Sequence, residues 1–225
     1  MIFPANQYRN RTTIPMKMNL DNQIRTIIQD LTTPNPATSQ IPFDVDFRAI
    51  PVAELSFDEI NVKTYPQQRK LLWKLIVQYT GDPRLVDIAA KIIDSLNIPE
   101  REPMALATGF QQFVQQNIKF FRERPERFVN PVRTVQWGIG DCDDKTILLA
   151  TLLRTFRIPV RLKFIRFVSP KSKKNVSHVY PQAKINNRWI TLETVQQWPP
   201  GKDGETILKN KNIPTKVEYI GDKND

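Results

Sequence analysis

Apolar residues recur at helical spacing in three consecutive stretches: Leu71, Leu72, Leu75, Ile76 and Tyr79; Leu85, Ile88, Ala89, Ile92, Ile93 and Leu96; then Leu106, Phe110, Phe113 and Val114. This predicts three helices. Gly81-Asp82-Pro83 and the Pro99 to Pro103 stretch separate them, because proline and glycine stop one helix and start the next. Ile118-Lys119-Phe120-Phe121 leads into a loop rich in Arg and Pro that ends at Trp137-Gly138-Ile139-Gly140. From Asp141 to Arg154 the chain reads as a helix that is apolar on most of its circumference, which predicts burial in the core. The pattern then changes period. Leu162, Phe164, Ile165 and Phe167, interspersed with Arg161, Lys163 and Arg166, read as a strand with a basic outward side. Val176 to Tyr180 and Arg188 to Glu193 read as two further strands joined at an Asn186-Asn187 turn. Lys171, Lys173 and Lys174 fall between strands and read as a solvated loop.

Residues 1–66 follow neither period for long. Pro4, Pro15, Pro34, Pro36, Pro42, Pro51 and Pro66 exclude long helices, and only Leu20, Ile24, Ile27, Ile28 and Leu31 keep helical spacing. Phe43, Val45, Phe47 and Ala49 alternate with Asp44, Asp46 and Arg48 as in a half-buried strand, and Leu55 to Tyr65 offers another. The division expected is a proline-rich arm over residues 1–66 and one domain over residues 67–225. An arm with too few apolar residues for its own core is expected to lie on another surface: its own domain, a second copy or a partner.

At 225 residues, 40% of them apolar, the chain can bury one substantial core, and no stretch approaches the roughly 18 uninterrupted apolar residues of a membrane span. The opening Met1-Ile2-Phe3-Pro4-Ala5-Asn6 lacks the charged and then apolar segments of a secretory signal. A single cysteine permits no internal disulfide, and a cytoplasmic setting is expected. The net charge of +10 is unevenly distributed. Residues 1–66 carry six Lys/Arg against seven Asp/Glu, and residues 67–225 carry twenty-seven against sixteen, or −1 and +11. Such a field favours acidic partners. Without an aromatic-interleaved basic motif or a zinc pattern, it is read as a solvated face rather than a nucleic-acid-binding one.

The candidate chemistry rests on the only cysteine, Cys142, and the only histidine, His178. Asp141 is placed to cap the helix that follows, and Asp144 three residues later completes a capping-box pattern. Cys142 then falls in the first turn. There the free backbone N–H groups and the helix dipole favour a thiolate and can hold an oxyanion. Three neighbouring carboxylates oppose ionisation, so an imidazole is needed to help. His178 lies 36 residues downstream in a strand-like context, and the adjacent antiparallel strand would bring Glu193 near it. Glu193 would fix the tautomer of His178, completing a nucleophile, base and orienter. Asp141, Asp143 and Asp144 could suggest a hard-metal site, but capping explains two of them and adjacent carboxylates on a helix diverge, so no metal and no cofactor is implied. Trp137, five residues before Cys142, is read as packing under the loop.

The residues Gly140-Asp141-Cys142-Asp143-Asp144, Leu148 to Leu153, Ile158-Pro159-Val160-Arg161, His178-Val179-Tyr180 and Trp189 to Glu193 together resemble the transglutaminase-like superfamily. The likeness spans roughly residues 70 to 195. It implies an α+β, papain-like core in which a cysteine-bearing helix packs on an antiparallel sheet, with the extended N-terminal arm outside it. It also implies a cysteine peptidase, amidase or acyltransferase acting on a protein or peptide substrate, with Cys142 as nucleophile, His178 as base and Glu193 as orienter. Two positions depart from the family pattern: Glu193 stands where Asp is usual, and Arg157 where a glycine commonly precedes Ile-Pro. The Gly-Asp-Cys-Asp-Asp version is similar to transglutaminase-like proteins encoded among the head and tail genes of tailed bacteriophages. That likeness implies a virion or host-cytoplasmic location. It also implies an alternative role, as a structural or adaptor protein of the tail, baseplate or head-tail region, with the arm docking on other virion proteins.

Overall fold

The computed structural model describes residues 64–99, 101–121 and 128–222. The expected helix around Leu20 to Leu31, the Phe43 to Ala49 strand and most of the Leu55 to Tyr65 strand lie outside these residues. The three helices predicted from spacing are present: α1 (Tyr65–Tyr79), α2 (Pro83–Leu96) and α3 (Pro103–Asn117). Tyr65 and Pro66, expected in the arm, instead open α1. Pro66 fits there because the first turn needs no N–H donor from it, and Thr64 with Gln67 forms a capping box. Pro83 and Pro103 start α2 and α3 for the same reason.

After β1 (Lys119–Phe120) the Arg- and Pro-rich segment is not all loop: α4 (Pro131–Trp137) forms within it, capped by Asn130, whose side chain accepts from the Arg133 N–H at 3.0 Å. Seven residues are too few for spacing to reveal a helix. The cap and the proline at its first position were the available signals. β2 (Ile139–Gly140) pairs parallel with β1 and leads into α5 (Cys142–Thr155).

Helix α5 is the centre of the molecule, with every side chain from Asp144 to Leu153 buried. Leu148, Leu149, Leu152 and Leu153 are each 0% exposed, and each such burial stabilises by about 1.5–3 kcal/mol. α1, α3 and α4 pack against α5 on one side and the sheet packs on the other. The helix ends with Arg157 in the left-handed region, φ 59°, its N–H donating to the Arg154 carbonyl at 2.9 Å. This is the position where the family pattern has glycine. The terminator geometry is kept, and the non-glycine side chain bears the backbone strain.

The main sheet runs β5-β4-β3-β6, all antiparallel, built from β3 (Val160–Val168), β4 (Asn175–Ile185), β5 (Arg188–Thr191) and β6 (Thr215–Gly221). A two-residue turn joins β4 to β5, with Asn186 and Asn187 both at positive φ (49° and 61°), as that tight hairpin requires. Directly paired residues share a face. Val179 with Phe164 and Ala183 with Val160 face α5, whereas Ile165 and Tyr180, the latter paired with Lys163, face away from it. On that second face Ile165, Phe167 and Tyr180 form a smaller core with Leu208 of α6 (Gly204–Lys209) and with Ile213.

The expected basic outward side of β3 is therefore corrected. Arg161 and Lys163 share a face, but Arg166 points to the opposite one. Lys163 is 3% exposed, and its ammonium meets Asp203 at 2.5 Å and Glu205 at 2.7 Å. Arg161 stacks between Trp189 and Tyr219, at 4.4 and 4.3 Å from their ring centres. Period-2 alternation identified the strand, but partners from the last forty residues decided which charges were buried. Lys171, Lys173 and Lys174 are exposed in the β3–β4 loop, as expected. No helix among the described residues is long and apolar enough to cross a membrane.

Candidate active site

The parallel β1–β2 pair aims the chain at the start of α5. Gly138 adopts φ 63° where α4 ends, and a Cβ on Gly140 would lie 2.9 Å from Asp144 Cβ, so only glycine lets this strand pass so close to the helix. The expected capping box is formed. Asp141 accepts from the N–H groups of Asp143 at 2.9 Å and Asp144 at 3.3 Å, and Asp144 accepts in return from the Asp141 N–H at 3.3 Å. Asp144 also accepts from the Val129 N–H at 2.9 Å, which ties in the chain before α4.

Cys142 is the first residue of α5, half-buried, and its thiol donates to Asp143 Oδ1 at 3.5 Å. Not all three nearby carboxylates bear fully on the sulfur. Burial, with the adjacent Asp141 charge, raises the Asp144 carboxyl well above its ordinary value, which favours its neutral form. Asp141, Cys142 and Asp143 bring ligand atoms within 4.8 Å of one another, but the Asp141 carboxylate is engaged as a cap, and the cluster is explained by helix initiation.

His178 and Glu193 are brought together and sealed from solvent, at 2% and 0% exposed. His178 Nε2 lies 3.1 Å from Glu193 Oε1 and 2.9 Å from Oε2. β5 is shorter than expected and stops at Thr191, so Glu193 comes from the segment beyond the strand. That segment still follows β4, its Leu192 N–H donating to the Pro181 carbonyl at 2.9 Å. Glu193 Oε1 also accepts from the N–H groups of Val195 at 2.8 Å and Gln196 at 3.4 Å. Burial alone would raise the Glu193 carboxyl, but the opposing His178 and these hydrogen bonds outweigh it and hold the group below its ordinary value. A carboxylate on Nε2 takes the Nε2–H tautomer, leaving Nδ1 as the nitrogen able to accept a proton.

Two residues that sequence reasoning passed over hold this arrangement. Gln111 and Gln115, one turn apart on α3, each donate from Nε2 to the Glu193 backbone carbonyl at 2.9 Å. They also reach the Trp198 carbonyl, at 3.1 and 3.0 Å, so the segment after β5 is clamped to α3. Their i, i+4 spacing on an otherwise apolar helix face was the available signal. On the other side, Thr146, one turn beyond Cys142, donates from Oγ1 to the Val179 carbonyl at 3.1 Å. The first turn of α5 is thereby fastened to β4 beside His178. Trp137 does not pack under the loop as expected: it is 44% exposed, with the Arg133 guanidinium 5.2 Å from its ring centre.

These features define a class: a helix headed by cysteine, backed on an antiparallel sheet that carries a buried histidine–carboxylate pair. Residues 88–194 match the family model described as the Transglutaminase-like superfamily. The fold is transglutaminase-like and papain-like, α+β, as the sequence resemblance implied. Among solved structures, a candidate cysteine protease from Cytophaga hutchinsonii is similar at 15% sequence identity with a TM-score of 0.42. The match covers 67% of this chain and spans 57% of the length of that one. No curated protein matches the sequence.

Proposed function

We propose that the chain is a cysteine hydrolase or acyltransferase of the transglutaminase-like type, in which Cys142 is the nucleophile, His178 the base and Glu193 the orienter. The observation that carries this reading is the buried His178–Glu193 pair, formed where α5, headed by Cys142, is fastened to β4. With Nε2–H held by Glu193, Nδ1 takes the thiol proton, and the sulfur attacks the carbonyl carbon of a peptide or carboxamide. A C–S bond forms while the carbonyl π pair moves to oxygen. The backbone N–H of Cys142 at the head of α5 is assigned to hold the oxyanion, since the N–H groups of Asp143 and Asp144 are taken up by the Asp141 cap. His178 then returns the proton to the departing nitrogen as the C–N bond breaks. Water, or a second amine, attacks the resulting thioester and releases the sulfur.

Before this the thiol must turn from Asp143 Oδ1 to His178, so the contact now present belongs to the resting, protonated form. Iodoacetamide reports the thiolate directly. At pH 7, His178→Ala is expected to slow alkylation of Cys142 by roughly 10- to 100-fold, since a free thiol near pKa 8.5 is a few per cent ionised. Equal rates in the two proteins would remove the activated nucleophile and with it the proposed chemistry.

A second reading, as a structural or adaptor component of a tailed-phage particle, is supported by the seven prolines of residues 1–66 and the +11 charge of the remainder. It rests on the sequence likeness to phage virion proteins, and it assigns the arm to other virion proteins. Limited proteolysis beside those proteins tests it: cleavage within residues 1–66 should be suppressed by a true partner, and undiminished cleavage with a monomeric chain would exclude the role.

A further inference from the structure

Lys145 is 1% exposed, deep in the molecule on a helix whose other buried residues are mostly apolar. It lies three residues after Cys142, on the same side of α5. Its Nζ donates to the Ile118 carbonyl at 2.7 Å. Ile118 caps the C-terminal end of α3, where the helix dipole is negative and where α3 supplies no cation of its own in its last turn. The same helix end holds the Glu193 backbone through Gln115, so the ammonium and the triad carboxylate are assembled on one support. A buried cation without a structural ion pair is costly unless another charge offsets it.

Building on the triad reading, we infer that Lys145 is a positioning residue for that centre: anchored at the end of α3, its ammonium acts as a second counter-charge to Glu193 and divides that carboxylate's field with His178. Among the described residues, the charged and titratable groups on the elements packed around it include Asp141 at the cap of α5, Cys142, Asp143 and Asp144 in its first turn, Lys119 on β1, His178 on β4 and Glu193 after β5, while α3 presents the uncharged Gln111 and Gln115. Burial lowers the Lys145 amine to about 7, with the Glu193 charge opposing that shift. Its charge therefore changes within the pH range in which a Cys–His centre works. Below that point the ammonium weakens the hold of Glu193 on an imidazolium. Above it, Glu193 acts on His178 alone, and the thiolate–imidazolium pair is favoured.

The test is the pH profile of Cys142 alkylation by iodoacetamide in wild type, Lys145→Met, Lys145→Arg and His178→Ala, each checked for folding by circular dichroism. Lys145→Met removes the cation at every pH. It should react at least about 3-fold faster than wild type near pH 6 and converge with it above about pH 8.5. Lys145→Arg keeps a cation throughout, and should match wild type near pH 6 and fall behind it at pH 8.5. A Lys145→Met to wild-type ratio that does not vary with pH, or a Lys145→Arg ratio that does not, would reduce Lys145 to a packing role and overturn the inference. If either variant fails to fold, the other still decides, because each has its own pH-dependent ratio. His178→Ala separates the two claims. If it matches wild type at every pH the triad itself fails, whereas a slow His178→Ala beside flat Lys145 ratios removes only the role of Lys145.

Discussion

Glu193→Ala is expected to lower the stability of the protein by roughly 3–5 kcal/mol, the cost of removing one partner from a buried pair. Glu193 is 0% exposed, and its carboxylate meets His178 Nε2 and the N–H groups of Val195 and Gln196. Alanine leaves all three donors buried without an acceptor, each at about 1–3 kcal/mol before relaxation. Urea denaturation reads the loss, and a change under about 1 kcal/mol would show that the pair contributes little to the fold. Glu193→Gln separates structure from chemistry. Its oxygen can still accept from Val195 and Gln196, but its amide group would face Nε2 and favour the opposite tautomer, with the proton on Nδ1. That variant should keep most of the stability and still lose the rapid alkylation of Cys142.

The pH dependence has a definite sign. The folded carboxyl of Glu193 lies below its ordinary value of 4.5, so its ionised form stabilises the fold. That contribution is fully present above pH 4.5 and is lost as pH falls through the folded value. The stability gap between wild type and Glu193→Gln should therefore narrow on acidification below about pH 4.

Asp203→Ala should cost a comparable 3–5 kcal/mol on the sheet face turned away from α5. Asp203 Oδ2 accepts from Lys163 at 2.5 Å and Thr191 at 3.0 Å, and Oδ1 accepts from the Tyr180 hydroxyl at 2.9 Å and the Glu205 N–H at 2.8 Å. The carboxyl is raised by burial but lowered further by Lys163 and these hydrogen bonds, to a net value below the ordinary 3.8. Without it the Lys163 ammonium keeps only Glu205, the Tyr180 hydroxyl loses its acceptor and α6 loses its cap. The consequence extends toward the candidate site, because the Tyr180 ring lies 5.4 Å from the His178 ring. Asp203→Asn retains the acceptor oxygens only in part, and should fall between the two in denaturant midpoint. An Asp203→Ala midpoint equal to wild type would show that the network is not what fixes α6 to the sheet.

Much of the fold was legible because its signals are local. The apolar spacing of Leu85 to Leu96, the Asp141–Asp144 box and the Asn186-Asn187 turn each operate within a few residues, and each formed as read. α4 escaped notice because seven residues give no reliable period. Lys145, Gln111 and Gln115 escaped because a polar residue on a predicted helix is assigned by default to water. Lys163 shows the same default failing in a strand, since the acids that bury it, Asp203 and Glu205, lie 40 residues away.

The sequence by itself determined a cysteine at the head of a buried helix, a histidine on a strand and a carboxylate at the end of the segment read as the next strand. Those placements follow from caps, periodicity and a hairpin turn, which act over one or two turns of chain. Only the tertiary structure decided that the segment beyond Thr191 keeps following β4, setting Glu193 onto His178 Nε2 as a buried pair. It also decided that the end of α3 carries both the backbone of Glu193 and the buried ammonium of Lys145. Burial and charge pairing depend on which distant surfaces meet, and that was fixed only when the helices closed over the sheet.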